Sequence, residues 1–105
     1  MTDRIEQLLV AYEVGVEDPE ISGMEHLDML LTRSELAKMN DQLSSRQSAR
    51  LLKADGQLAQ QAEAFYRAIT RVADLQSWRE QEQAPTEQWW WYLDVLVAAP
   101  VRLAA

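Results

Sequence analysis

The sequence contains no cysteine, one histidine, and only three glycines and three prolines among its 105 residues. Without cysteine the chain has no disulfide bonds, no thiolate metal ligands and no cysteine nucleophile. Neither the P-loop pattern nor the dinucleotide-binding glycine pattern occurs. These absences exclude several large enzyme classes and indicate a small domain whose fold depends on apolar packing.

Long apolar runs are also missing from the chain. No run approaches the roughly 20 residues needed to span a bilayer, and the polar start Thr2-Asp3-Arg4 does not resemble a signal peptide. The length suits one domain, and 48% of the residues are hydrophobic. We therefore expect residues 1–105 to form one domain of a cytoplasmic protein, without a cofactor and without membrane contact.

Basic residues are scarce at the start of the sequence. The first thirty residues contain eight acidic side chains and one basic side chain, Arg4. This segment therefore carries −7, which equals the net charge of the whole chain. Binding to phosphate backbones and anionic membranes depends on Lys and Arg, so the charge weighs against both. It favours a basic protein partner near residues 13–28.

The spacing of apolar residues predicts helices throughout. Residues 3–16 have one apolar stripe at helical period, with Asp3 as the N-cap. Residues 23–31 predict a short helix, and capping boxes at Thr32 and Ser44 predict two further helix starts. No segment has the alternation of a β-strand. The sequence therefore predicts an all-α bundle of four to five helices.

Residues 45–82 predict one long central helix, because they lack proline and carry two rows of residues spaced by seven. The rows are Leu51, Leu58, Phe65 and Val72, and Asp55, Ala62, Ile69 and Gln76. Such a helix would be about 57 Å long, whereas a globule of this size is about 34 Å across. Either the helix kinks or breaks at Gly56, or another chain covers the part of the helix that extends beyond the globule.

Four consecutive aromatic residues, Trp89 to Tyr92, fall within a predicted last helix at 87–98. Successive residues of an α-helix are rotated by about 100°, so the rings would fan across most of its surface and leave at least one exposed. This pattern predicts a non-enzymatic protein–protein interaction module that acts as a homodimer, in the role of a small adaptor, a regulator or an antitoxin-like protein. The expected interface residues are Trp90, Trp91, Tyr92, Val95, Leu58, Phe65, Ile69 and Val72.

Two acidic pairs support a different hypothesis, a divalent-metal-dependent nucleotide hydrolase. The pairs are Glu17 with Glu20 and Glu25 with Asp28, and carboxylates three residues apart on helices are typical Mg²⁺ ligands. Pro19 interrupts the first pair, however, and only four residues separate the two pairs. This spacing does not favour two packed helices with facing carboxylates.

A third hypothesis is a helix-turn-helix DNA-binding regulator over residues 33–54. Its recognition face would carry Arg46, Arg50 and Lys53. Three basic residues are few for this role, and the acidic net charge weighs against nucleic acid. The segment Leu43–Gln47 resembles helix starts of many small bacterial proteins, including some antitoxins, but this capping box is generic and implies no functional residue.

Overall fold

The computed structural model describes residues 3–98, and this part of the chain is all-α, as the sequence predicts. The α-helices are α1 (Arg4–Gly15), α2 (Gly23–Lys38), α3 (Ser45–Gln60), α4 (Ala62–Thr70), α5 (Leu75–Gln81) and α6 (Leu93–Ala98). Two short 3-10 helices span Asn40–Gln42 and Trp89–Tyr92. The Cα radius of gyration is 13.5 Å, as expected for a compact domain. The expected helix stop at Pro100 lies outside the described residues.

Helix α1 begins as predicted, because the Asp3 carboxylate accepts a hydrogen bond from the Ile5 amide at 3.0 Å. Helix α2 differs from the prediction, since it continues without interruption through Thr32. The Thr32 hydroxyl donates to the Asp28 carbonyl one turn back, at 2.9 Å, so it does not cap a new helix. The predicted short helix and the next one are therefore a single element.

The predicted long helix over 45–82 is divided into α3, α4 and α5. Its start is as expected, with a capping box in which Ser44 and Gln47 each accept the other's backbone N–H. The first break is at Gln61, and the second precedes α5, where Asp74 caps the new helix. Gly56 lies inside α3, so the helix does not break there. Because the chain folds back at these breaks, no helix overhangs the domain.

Helices α2 and α4 cross closely around the only histidine. His26 is buried, and its ring packs edge-on against Phe65 with 4.6 Å between centroids. Its Nε2 lies 3.0 Å from the Pro19 carbonyl oxygen and donates to it. One turn earlier, the Gly23 backbone approaches the Ala68 carbonyl so closely that a Cβ atom would lie 2.3 Å from its oxygen. His26 is therefore held by packing and one backbone acceptor.

A tight C-terminal turn on α5 directs the chain back toward α2. Gln83 has a positive φ of 53°, and the Ala84 and Gln83 amides donate to the Arg79 and Glu80 carbonyls. This is a Schellman motif with glutamine at the position that glycine usually occupies. Beyond it, the Arg79 guanidinium donates to Asp94 at 2.8 Å, which fixes α6 against α5.

The aromatic segment does not form part of one α-helix over 87–98, because Trp89–Tyr92 is a 3-10 helix and α6 begins at Leu93. Trp90 and Trp91 are 3% and 0% exposed. Both indole N–H groups donate to the hydroxyl oxygen of Ser34, at 2.9 and 2.8 Å. The two rings therefore enter the core beside α2.

Candidate functional site

Five of the eight expected interface residues are buried in the core of the single chain. They are Leu58, Phe65, Ile69, Trp90 and Trp91. Their apolar surface is covered by the chain's own helices, and their contact with a partner stays a prediction.

The other three expected interface residues remain at the surface. Tyr92 is half-buried and donates its hydroxyl proton to the Ala84 carbonyl. Val72 and Val95 are about half exposed. The fan of exposed rings that motivated the aromatic interface is therefore absent from the described part of the chain.

The four carboxylates of the hydrolase hypothesis are exposed on the segment from α1 to α2. The structure does not bring Glu17, Glu20, Glu25 and Asp28 into a common site. Across residues 3–98, no group of three His, Asp or Glu side chains has the geometry to hold a metal ion. The hydrolase hypothesis therefore has no assembled metal site in this part of the chain.

Arg50, the central residue of the expected DNA-recognition face, is engaged within the molecule. Its guanidinium donates to the Glu6 carboxylate at 2.8 Å and to the Glu13 carboxylate at 2.6 Å. These hydrogen bonds lower the pKa of both glutamates and raise the pKa of Arg50. Only Arg46 and Lys53 remain exposed on that face, which is a small cationic surface for phosphate binding.

The contacts between α1 and α3 define their relative direction. Near the start of both helices, Gln47 donates to Glu6 at 3.3 Å. Near their ends, the side-chain Nε2 of Gln61 donates to the Val16 carbonyl at 3.5 Å. Residue numbers therefore increase together along the two helices, which are parallel neighbours.

Asp55 is a charged residue in the otherwise mostly apolar rows of residues spaced by seven. It lies in a largely buried hydrogen-bond network between α1, α2 and α3. It accepts from the Tyr12 hydroxyl at 2.6 Å and from Arg33 at 2.8 and 3.1 Å. The Arg33 guanidinium also lies over the Trp90 ring, 4.1 Å from its centroid. Burial raises the pKa of the Tyr12 hydroxyl, so it stays protonated as a donor. The sequence pattern did not predict that Arg33 binds Asp55 or that Ser34 accepts hydrogen bonds from two indole groups.

A cleft of about 470 Å³ separates α2 from the residues that follow α5, and its lining includes Ser34, Thr32 and Glu35. These groups bond within the chain: Ser34 to the two indoles, Thr32 to the Asp28 carbonyl, and Glu35 to Lys38. Each therefore has a structural role in the folded chain.

The exposed side of α1 and α3 has a different character. Val10 and Val14 on α1 are 45% and 57% exposed, and Leu52 on α3 is 74% exposed. Between the helices lies a groove of about 310 Å³, whose apolar lining is Val10, Val14 and Ala54. Leu52 does not line this groove, because it lies roughly 150° around α3 from the groove-lining Arg50 and Gln57.

The side of α3 that carries Leu52 has no charge along its centre. At about 100° per residue, the side chains that share the side of Leu52 are exposed and small. They are Ser45, Ser48, Ala49, Gly56 and Ala59. A Cβ atom at Gly56 would meet nothing within 4 Å, so a notch lies one turn from the projecting Leu52. Depletion of charge is typical of the centre of a protein interface.

Comparisons with known proteins found no matching family model, curated protein or solved structure. No helix in the described range is both long and apolar enough to cross a membrane.

Proposed function

We propose that this protein is a non-enzymatic protein–protein interaction module that acts as a homodimer through the exposed side of α3 that carries Leu52. The observation that carries the proposal is Leu52, which is 74% exposed at the centre of an uncharged helix face. Full burial of a Leu side chain is favourable by about 1.5–3 kcal/mol, so covering Leu52 supplies a driving force for association.

The size of the face sets the expected strength of the dimer. Helix α3 is about 24 Å long, and packed helices lie about 8–10 Å apart. The face is thus smaller than the roughly 800 Å² per partner of a standard interface. We therefore expect a reversible dimer with a Kd on the order of micromolar rather than nanomolar.

The proposal is tested by analytical ultracentrifugation from about 5 to about 500 µM protein. The weight-average mass is expected to rise from 12.1 kDa toward twice that value. Leu52→Asp should raise the Kd by about tenfold or more, because it places a charge at the centre of the interface.

The matched control is Val95→Asp, which introduces the same charge at a half-exposed aliphatic residue of α6. It should leave the Kd within about twofold of the value for the unmodified chain, and circular dichroism should show equal helix content in both variants. A chain that stays monomeric at every concentration contradicts the proposal. So does dissociation by Val95→Asp that equals the effect of Leu52→Asp.

A further inference from the structure

Five exposed residues of α3 are spaced alternately by four and three positions along the chain. These residues, which we call the α3 seam, are Ser45, Ala49, Leu52, Gly56 and Ala59. This spacing keeps a row of side chains facing one partner helix along its whole length. In the proposed homodimer that partner helix is α3 of the second copy, so the size of each seam residue decides how the two helices fit together.

Leu52 and Gly56 form a projection and a notch within the α3 seam. The Leu52 side chain is 74% exposed, and a Cβ atom at Gly56 would meet nothing within 4 Å. The two residues lie about 6 Å apart along the helix. In a two-fold symmetric contact, residue i touches residue j of the partner and residue j touches residue i. A second copy of α3 can therefore fill the notch and cover the projection at the same time.

The two possible directions of a symmetric helix pair bring different seam residues together. In a parallel pair each residue meets its own copy, so two Leu52 side chains hold the helices apart and two Gly56 residues leave a gap, which is destabilising. In an antiparallel pair with the axis at the level of Ala54, Leu52 lies against Gly56 and Ala49 lies against Ala59. The combined side-chain volume is then more nearly equal from layer to layer, so the contact is continuous.

We infer that the homodimer is an antiparallel pair of α3 helices in which Leu52 of each copy packs over Gly56 of the other. The inference rests on the proposed function and specifies its geometry. The small side chains of the α3 seam let the helix axes approach to about 8 Å, the lower end of the range for packed helices. The antiparallel direction also places the positive end of each helix dipole beside the negative end of the other.

The basic residues beside the α3 seam give the antiparallel direction a measurable signature. Arg46, Lys53 and Gln60 lie about 80–120° around α3 from Leu52, all on the same side. In the antiparallel pair Arg46 faces Gln60 of the second copy and the two Lys53 side chains face each other, whereas in a parallel pair Lys53 faces Ser48. Like charges that face each other across an interface are destabilising.

Lys53→Gln should therefore lower the Kd about two- to threefold at low salt, because it removes this repulsion. The matched control is Arg71→Gln, which makes the same change in net charge at an exposed residue outside α3. The Kd values are measured by analytical ultracentrifugation. A Kd for Lys53→Gln that equals or exceeds that of the control contradicts the antiparallel register.

The lack of cysteine in the chain makes disulfide formation a direct test of the register. In Ala49→Cys/Ala59→Cys the two thiols face each other across the antiparallel pair, but within one chain they lie about 15 Å apart, too far for a disulfide bond. In each single variant the two thiols of the dimer also lie about 15 Å apart. Under mild oxidation above the Kd, the double variant should form a covalent dimer at least about tenfold faster than either single variant.

The control for random collision is Ser77→Cys, at an exposed position of α5, and circular dichroism should show equal helix content in every variant. Cross-linking of Ala49→Cys alone at the rate of the double variant supports the parallel arrangement and overturns the inference, while the homodimer itself stands. A double variant that sediments as a dimer but cross-links no faster than Ser77→Cys also overturns it. A chain without any dimer in ultracentrifugation removes the proposed function and the inference together.

Discussion

At the scale of single residues, two glycines show how the same amino acid can have opposite packing constraints. A Cβ at Gly23 would lie 2.3 Å from the Ala68 carbonyl oxygen and 2.8 Å from a Val72 methyl group, whereas a Cβ at Gly56 meets nothing within 4 Å. The sequence singled out Gly56 as a break because glycine weakens helices. It carried no signal for the close contact at Gly23, since Ala68 is 45 positions away.

This contrast gives a prediction for one substitution at two sites. Gly23→Ala should lower the free energy of unfolding by about 2–3 kcal/mol through overpacking against α4. Gly56→Ala should raise it by about 0.5–1 kcal/mol through helix propensity. Urea unfolding at low micromolar protein measures both. Equal effects of the two substitutions would contradict the close approach of α2 and α4.

At the scale of elements, Arg50 joins α3 to two carboxylates on successive turns of α1. The pKa values of Glu6 and Glu13 are lowered by hydrogen bonds from Arg50, and an unperturbed Glu titrates near about 4.3. Carboxylates with lowered pKa stabilise the folded state above that unfolded value, and the stabilisation is lost as the pH falls through the folded pKa values.

We therefore predict that Arg50→Gln destabilises the protein at neutral pH and that the difference shrinks as the pH falls below about 4.3. Thermal or urea unfolding from acidic to neutral pH measures this difference. The matched control is Arg46→Gln, an exposed position one turn earlier, for which we expect a small effect at every pH. A difference for Arg50→Gln that does not change with pH would show that Glu6 and Glu13 do not account for the stabilisation by Arg50.

The division of the central helix is also decided at this scale. The rows of residues spaced by seven continue from α3 into α4, because Leu58 of α3 and Phe65 and Ile69 of α4 are buried in the same core. The period is therefore unchanged across the break, and Gln61 is neither proline nor glycine. Local pattern does not reveal this break, and α4 packs against α2, which lies far from it in the sequence.

At the scale of the whole molecule, Ser34 connects α2 to the C-terminal segment through two indole groups. A single hydroxyl oxygen accepts from Trp90 and Trp91, which are both buried. Unpaired buried donors cost about 1–3 kcal/mol each. The side chain therefore holds together elements that are more than fifty residues apart.

We predict that Ser34→Ala lowers the free energy of unfolding by roughly 2–4 kcal/mol, because two buried N–H groups lose their acceptor. Ser77→Ala is the control, since Ser77 is exposed and bonds only locally to Asp74; we expect a loss below about 1 kcal/mol there. Chemical denaturation followed by tryptophan fluorescence measures both variants. A loss for Ser34→Ala no larger than that of the control would contradict the bonding of both indoles to one oxygen.

The sequence by itself determined the all-α class, the start of α1 at Asp3 and the capping box at Ser44, because periodicity and capping act within a few residues. It also identified Leu58, Phe65 and Ile69 as apolar positions that must be buried. Tertiary structure alone decided that the chain's own helices cover these residues, that Arg50 binds α1, and that Leu52 of α3 stays exposed. These outcomes depend on contacts between residues tens of positions apart, which no local pattern encodes.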